Sequence, residues 1–334
     1  MNGNNEPLVS VVTPVYNGGP YLRECIDSVL CQTYSNWEYT IVNNCSTDQT
    51  LSIAEQYARQ DPRIRVTSND VLLDVISNHN RAFGLISPQS KYCKVVSGDD
   101  WLFPECLMRM VALAEANPSV GLVGSYQLSG AGTDWAAWRI RWAQLPYPSP
   151  VIPGREICRL QLLGGPYVFG TPTSLLYRAD LVRAHERFYP NLTSEADTSA
   201  CYKQLQWSDF GFVHQVLSYE RVHQQTQSHV SRSLNAYLSS RLSDVIEYGP
   251  SCLSEDELTR RVEELVDEYY RYLAGNAVHF RDRAFWQYHK RRLKECGHPF
   301  SRARFAKAIT AKLMDLALNP KQTAEKALRR AIVV

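Results

Sequence analysis

The chain has 334 residues, with 36 Lys and Arg against 34 Asp and Glu, and 44% of its residues are apolar. That suffices for one large domain or two smaller ones with a substantial core, and the composition is that of a soluble globular protein. The formal charge of +2 conceals a split: residues 276–334 carry 14 basic and 4 acidic side chains, net +10, leaving net −8 on residues 1–275.

Nine cysteines, an odd number without metal-like pair spacing, read as reduced thiols used as small apolar residues in a reducing cytoplasm. Met1–Pro7 is polar and lacks the apolar core of a secretion signal. No apolar run approaches the ~20 residues that span a bilayer. The expected location is therefore cytoplasmic, with any membrane contact peripheral and on the inner face.

In chain order, Leu8 to Thr13 is a compact β-branched run, predicted as a buried strand that ends in the loop Pro14-Val15-Tyr16-Asn17-Gly18-Gly19. Leu22, Ile26, Val29 and Leu30 form a helical stripe. Trp37 to Val42 is a second strand, closed by Asn43-Asn44-Cys45-Ser46-Thr47-Asp48, where Ser46 or Thr47 is placed to cap the next helix. Ile64 to Thr67 is a third strand, Val75 to Ile86 a helix, and Tyr92 to Val96 a fourth strand. Strand and helix alternating at this spacing predict a doubly wound α/β fold with a mostly parallel sheet, whose ligands sit outside the carboxyl ends of the strands.

The fourth strand runs into Ser97-Gly98-Asp99-Asp100-Trp101. Adjacent carboxylates oppose each other's ionisation, and a divalent cation with oxygen ligands relieves them. A helix N-terminus, where acids are common, is the plainer explanation of the pair. Phe103 to Asn117 reads as a helix and Val120 to Tyr126 as a strand. Residues 129–153 read as loop, with Trp135, Trp138 and Trp142 on one helical face. Gly154 to Leu163 is helical, Ser174 to Tyr177 a strand, Glu195 to Leu205 a helix and Val216 to Val222 a strand. Beyond residue 233 only helices are expected, with breaks near Gly249-Pro250, Gly297-His298-Pro299 and Asn319-Pro320. This divides the chain into 1–233 and a helical, basic 234–334.

The loops at the ends of strands one, two and four, with Gln32-Thr33-Tyr34, Glu195-Ala196-Asp197 and Arg221-Val222-His223, resemble the family 2 glycosyltransferases of GT-A fold. The resemblance covers roughly residues 8 to 230. It implies inverting transfer of a sugar from a nucleoside-diphosphate sugar, a UDP-sugar in the first instance, to an acceptor hydroxyl in polysaccharide or glycan assembly. It also implies Mg²⁺ or Mn²⁺ to neutralise the departing diphosphate. The family's Asp-x-Asp-Asp motif falls on Ser97, Gly98, Asp99 and Asp100. Asp99 is then the metal ligand, Asp100 its support or a donor contact, and Ser97 stands where the first acid is usual. His223 is a candidate further metal or diphosphate ligand.

The resemblance implies a base-binding side of Pro14, Tyr16 and Asn44, with Asn17, Ser97 and Gly98 as further donor-binding candidates. Tyr16 can stack on a pyrimidine, and Asn44, where relatives carry an acid, still offers a carbonyl to the ring imide. Asn80, after His79, is a candidate diphosphate or ribose contact, with a role on the helix face equally open. Asp197 is the expected general base and Glu195 the fallback; simple helix capping is the plainer role.

The basic tail mixes Phe280, Phe285, Trp286 and Phe305 with Arg281, Arg283, Lys290, Arg291 and Arg292. A solvated face, an oligomer contact and a patch on anionic lipid all fit that mixture, the last suiting a glycan or lipid-linked acceptor. No nucleic-acid motif accompanies the charge. A nucleotide-sugar-binding pseudoenzyme and a sugar nucleotidyltransferase remain as alternatives. The second should carry a basic, glycine-rich triphosphate loop after the first strand, where this chain has no basic residue before Arg23.

Overall fold

Strand β1 (Val9–Val15) is buried along its whole length, as its unbroken apolar run requires. In the computed structural model, which describes residues 6–130, 139–141, 150–191, 193, 195–223, 235–277 and 281–318, β1 pairs in parallel with β2 (Trp37–Asn43) on one side and β4 (Tyr92–Val95) on the other. Strand β3 (Ile64–Ser68) extends the parallel set beyond β2. Helices α1 (Leu22–Leu30), α2 (Thr50–Gln60) and α3 (Val75–Phe83) make the crossovers. The order therefore reverses at β1, and loops leaving β1 and β4 diverge from a crevice at their carboxyl ends.

Past β4 the sheet becomes mixed. The chain continues through β5 (Trp101–Leu102), α4 (Cys106–Ala116), β6 (Val120–Gly130), β7 (Arg139–Arg141), β8 (Val151–Ile152), α5 (Gly154–Leu162), β9 (Leu175–Arg178), α6 (Ala179–Arg183), α7 (Ala196–Gln204) and β10 (Asp209–Arg221). Strand β9 runs antiparallel between β4 and β6, whereas β10 is parallel to β6. The spatial order is β3-β2-β1-β4-β9-β6-β10-β5, with β7 added to β6 and β8 to β10. The parallel expectation thus describes the first half of the sheet, and antiparallel additions complete the second.

Four local expectations change. The helix expected from Phe103 starts at Cys106, because Trp101 and Leu102 pair with Tyr219 and Ser218 as a short strand. Residues 129–153, read as loop, include the end of β6 and the short strands β7 and β8. Strand β10 begins seven residues before the expected Val216; register shifts around Val213 and Val216 interrupt its alternation and hide its start. The cap of α2 comes from neither Ser46 nor Thr47: Asp48 Oδ1 accepts from the Thr50 N–H at 2.9 Å. The tryptophans at 135, 138 and 142 lie outside the described residues, as does the break at Asn319-Pro320.

The chain separates into two compact units, Met1–Val230 and Ser231–Val334. The second is built from α8 (Ala236–Cys252), α9 (Glu255–Ala277), α10 (Arg283–Glu295) and α11 (Arg302–Leu318). Ser254 and Glu257 exchange hydrogen bonds across the start of α9 (3.1 and 3.3 Å), a capping box. The break expected near Gly249-Pro250 falls just after it: the pair lies in the last turn of α8, which ends at Cys252, and α9 starts at Glu255. Any Cβ at Gly249 would fall 2.6 Å from Leu258 Cδ1, so the glycine serves the close approach of α9.

Candidate active site

The loops after β1 and β2 are tied to each other by their own polar groups. The Asn44 N–H donates to the Val15 carbonyl (2.8 Å), the Asn17 N–H to Ser46 Oγ (3.0 Å), and the Gly19 N–H to Asp48 Oδ2 (2.9 Å). Asn17 Oδ1 accepts from the Thr47 N–H at 2.8 Å, with Asn17 itself in the left-handed region at φ 49°, a conformation that asparagine tolerates. Burial alone would raise the Asp48 carboxyl, but the hydrogen bonds from Thr50 and Gly19 outweigh it and hold the group below its ordinary range. Gly18 and Gly98 both close on the same Val15 methyl: a Cβ on Gly18 would fall 2.5 Å, and one on Gly98 2.7 Å, from Val15 Cγ2.

Asn44 is buried, and its amide faces the loop after β3. Its Oδ1 accepts from the Leu73 N–H and from Asn69 Nδ2, both at 2.9 Å, and its Nδ2 donates to the Leu73 carbonyl at 2.8 Å. Both acceptor positions of the side-chain carbonyl are filled. The expectation that this oxygen reads a ring imide therefore gives way to a supporting role: Asn44 fixes the 69–73 loop. Pro14 is buried within β1. Tyr16 is half exposed beside this loop junction, with its ring available for stacking.

Beyond β4 the backbone turns sharply, the Asp100 N–H donating to the Ser97 carbonyl at 3.0 Å. The two acids then diverge. Asp99 is partly exposed, and its Oδ2 lies 3.0 Å from Nε2 of His223. Asp100 is only 4% exposed and accepts from Thr173 Oγ1 (2.6 Å) and from the Arg221 N–H (3.0 Å). Burial first, and the neighbouring Asp99 second, push its carboxyl well above the usual range. Asp100 is thus a buried brace, and Asp99 faces the crevice.

Arg221 completes this corner. Its Nε donates to the Asp99 carbonyl (3.1 Å) and an Nη to Glu24 Oε2 (2.5 Å), while its guanidinium lies 4.5 Å from the Tyr21 ring centre. The same ring stands 5.2 Å from the His223 imidazole.

The donor set fits a divalent cation of the substrate-bridged kind. Asp99 and His223 offer one carboxylate and one imidazole, as close together as neighbouring ligands of one octahedral ion with bonds of ~2.1 Å. Among the described residues no group of three or more acidic, histidine or cysteine side chains forms a complete cage. Mg²⁺-type sites usually take one or two protein ligands and fill the rest with water and substrate phosphate.

Asp197 lies in the first turn of α7, where Oδ1 accepts its neighbour Thr198's N–H at 2.8 Å. Burial pushes its carboxyl up to about 6, against the pull of that backbone bond. Such a group is ionised at neutral pH yet basic enough to take a proton. The hydroxyls of Tyr167, Tyr177 and Tyr189 are raised by desolvation and, in each case, by the Asp197 charge. Glu195 is the residue before the helix. The segment Tyr167–Thr173 joins the two chemistries: Tyr167's hydroxyl meets Thr198 Oγ1 at 2.6 Å, and Thr173 holds Asp100.

Residues 10–185 match the sequence profile described as Glycosyl transferase family 2. The chain belongs to this family. An uncharacterised glycosyltransferase of Haemophilus influenzae is 38% identical over 122 residues, 36% of this chain and 37% of that protein. The putative glycosyltransferase EpsE of Bacillus subtilis is 32% identical over 181 residues, 54% and 59% of the two. The chain thus spans less than two thirds of the length of either relative. Among solved structures, S. aureus TarS residues 1–349 with UDP-GlcNAc superposes with a TM-score of 0.63 at 15% identity, covering 97% of this chain and 92% of that one. The mannosyltransferase PcManGT of Pyrobaculum calidifontis, with GDP-Man and Mn²⁺, gives 0.55 at 14%, covering 94% and 81%. At these identities the two neighbours share the fold.

Within this family 2 chain the crevice gathers Tyr16, Asn17, Asn44, Ser97, Gly98, Asp99, Asp100 and His223. Asn80 is committed elsewhere: its Nδ2 donates to the Tyr189 carbonyl (3.1 Å) and its Oδ1 accepts the Tyr189 N–H (2.9 Å). That bidentate clasp anchors the segment ahead of α7, and the diphosphate or ribose contact expected of Asn80 gives way to it. Sequence reading missed Thr173 and Lys94 and assigned Arg221 no role. Lys94, a cation inside a β-branched run, was the one available signal.

Proposed function

We propose that this protein is an inverting glycosyltransferase that moves a sugar from a nucleoside-diphosphate sugar, a UDP-sugar in the first instance, to an acceptor hydroxyl in glycan assembly. The observation that carries the proposal is the Asp99–His223 pair, 3.0 Å apart at the carboxyl end of β4. Asp99 and His223 would hold a Mg²⁺ or Mn²⁺ ion, and when bound that ion supplies positive charge against the diphosphate leaving group. Tyr16 offers a stacking face to the base. Arg221 and Thr173 hold the acids so that only Asp99 faces the donor.

Asp197 accepts the acceptor's hydroxyl proton as that oxygen bonds to the anomeric carbon. The bond from that carbon to the diphosphate oxygen breaks, and its electron pair leaves with the diphosphate. Attack from the face opposite the leaving group inverts the centre. The TarS complex with UDP-GlcNAc supports the choice of donor class, and the PcManGT complex with Mn²⁺ supports the ion.

The setting proposed is the cytoplasm, with a peripheral contact on anionic membrane. Leu313, Met314 and Leu318 are exposed on α11, a helix carrying Arg302, Arg304, Lys307 and Lys312 against Asp315. No helix among the described residues is long and apolar enough to cross a membrane.

A thermal-shift series with UDP, dTDP, GDP, ADP and CDP, each with Mn²⁺ or with EDTA, tests the donor class. Metal-dependent stabilisation by one nucleotide and turnover of its sugar conjugate are expected. Binding without turnover on any acceptor or water would instead support a nucleotide-sugar-binding pseudoenzyme, the reading that Ser97 in place of an acid favours.

A further inference from the structure

The turn that carries Asp99 is held from outside its own segment. Thr173 lies in a single 3₁₀ turn, Pro172–Ser174, and is fully buried. Its hydroxyl donates to Asp100 Oδ2 at 2.6 Å and accepts the Ser97 N–H at 3.1 Å, with Ser97 Oγ 3.3 Å away. One hydroxyl therefore grips both ends of Ser97–Asp100, and the intervening Asp99 is presented by difference.

The 3₁₀ turn is itself fixed by Lys94. This side chain is fully buried in β4, and its Nζ donates to the carbonyls of Thr173 (2.7 Å) and Leu175 (3.0 Å), with Met110 Sδ at 3.7 Å. Burial pushes the ammonium down from the usual lysine range. A buried amine spent on two backbone carbonyls, with Met110 Sδ and the Cys106 thiol beside it, is an expensive way to fasten one short turn.

Ser97 explains why the device is needed. A carboxylate there would add a third acid beside Asp99 and Asp100, next to the Thr173 hydroxyl that Ser97 Oγ now meets at 3.3 Å. With serine in that place, a neutral hydroxyl from another segment does the fastening without adding charge.

We propose that Thr173, braced by Lys94, is a positioning residue that sets the metal-binding carboxylate of Asp99 by holding Ser97 and Asp100. This rests on the reading of Asp99 as a ligand of a metal–diphosphate.

The test is calorimetric titration of the full chain with the best-binding of the five nucleoside diphosphates, in Mn²⁺ and again in EDTA, with melting curves for fold. Thr173→Val should weaken Mn²⁺-dependent binding at least ten-fold and leave binding in EDTA within two-fold. Thr173→Ser, which keeps the hydroxyl, should stay within three-fold of wild type in both. Lys94→Met should repeat the Thr173→Val pattern. Should Thr173→Val not fold, Thr173→Cys, with a weaker donor of similar size, is read in its place and should weaken Mn²⁺-dependent binding by three- to ten-fold while binding in EDTA stays within two-fold. Equal losses in Mn²⁺ and EDTA would mark general loosening of the fold and overturn the proposal, as would a folded Thr173→Val that binds like wild type. A wild type whose nucleotide binding ignores Mn²⁺ would instead remove the metal reading itself.

Discussion

His223 Nε2 and Asp99 Oδ2 meet at 3.0 Å although 124 residues separate them in the chain. The two arrive from different strands of the sheet: Asp99 follows β4, and His223 follows β10, whose last residue Arg221 holds the Asp100 carboxylate and the Asp99 backbone carbonyl. Asp99→Ala should lower kcat by about 10²-fold or more, the scale for removing one group that stabilises developing charge. His223→Ala should raise the Mn²⁺ concentration for half-maximal rate by at least about 10-fold, since even indirect partners of a metal change affinity that much. Rates measured across an Mn²⁺ series separate the two effects. An unchanged rate in Asp99→Ala would remove the metal assignment.

Asn44→Asp places an acid where the family resemblance leads one to expect it, and it should fail to improve nucleotide binding. The new carboxylate has no hydrogen for the Leu73 carbonyl, which Asn44 Nδ2 now serves at 2.8 Å. Leaving that acceptor beside a negative charge should cost about 1–3 kcal/mol of stability. The affinity for UDP should fall as the 69–73 loop loosens. Denaturant titration reads the first effect and calorimetry the second; a gain in UDP affinity would put the base back on Asn44.

Much of this was legible in the sequence, for a physical reason. The β-branched runs that become β1, β2 and β4 are short, continuous and bounded by polar loops, so period and punctuation locate them to within a residue or two. Asp99, Asp100 and His223 announce themselves by chemistry and motif order. The family resemblance singled out Asp99 over Asp100, but the physical reason was not legible: it lies in Thr173 and Arg221, remote residues whose hydrogen bonds hold Asp100 buried while Asp99 stays partly exposed beside His223. Asn44 and Asn80 show the same limit. Asparagine is equally suited to ligands and to backbone clasps, and only the fold reveals that Leu73 and Tyr189 take their amides.

Gly98→Ala probes the packing beneath the metal turn. The added Cβ would lie 2.7 Å from Val15 Cγ2 and 3.2 Å from Val15 Cβ, in a strand that cannot retreat because β2 and β4 flank it. Overpacking of this kind should destabilise by about 1–3 kcal/mol. The turn should shift with it, so the Mn²⁺ requirement should rise alongside the loss of melting temperature. A variant as stable and as metal-responsive as wild type would mean that Val15 yields freely.

Asp197 couples activity and stability in opposite senses. Burial pushes its carboxyl up from the ordinary 3.8 to about 6. As a base it works only when ionised, so kcat/KM should rise with pH through about 6 and level off above it. Stability runs the other way. Between about 4 and 6 the unfolded chain has released this proton while the folded chain retains it, so folding weakens as pH rises through that window and is constant beyond it. At roughly 1.4 kcal/mol per pH unit, the deficit at neutral pH reaches at most about 3 kcal/mol. Asp197→Asn keeps an oxygen for the Thr198 N–H and carries no charge at any pH. It should lose about 10³-fold in kcat, a loss within the usual range for a general base. It should also melt higher than wild type at pH 7.5 and close to it at pH 4. Melting curves at both pH values, beside the rate profile, check the pair of expectations: a variant that is inactive but no more stable at pH 7.5 would mean that the buried charge is relieved by another group, and an active one would pass the base role to Glu195.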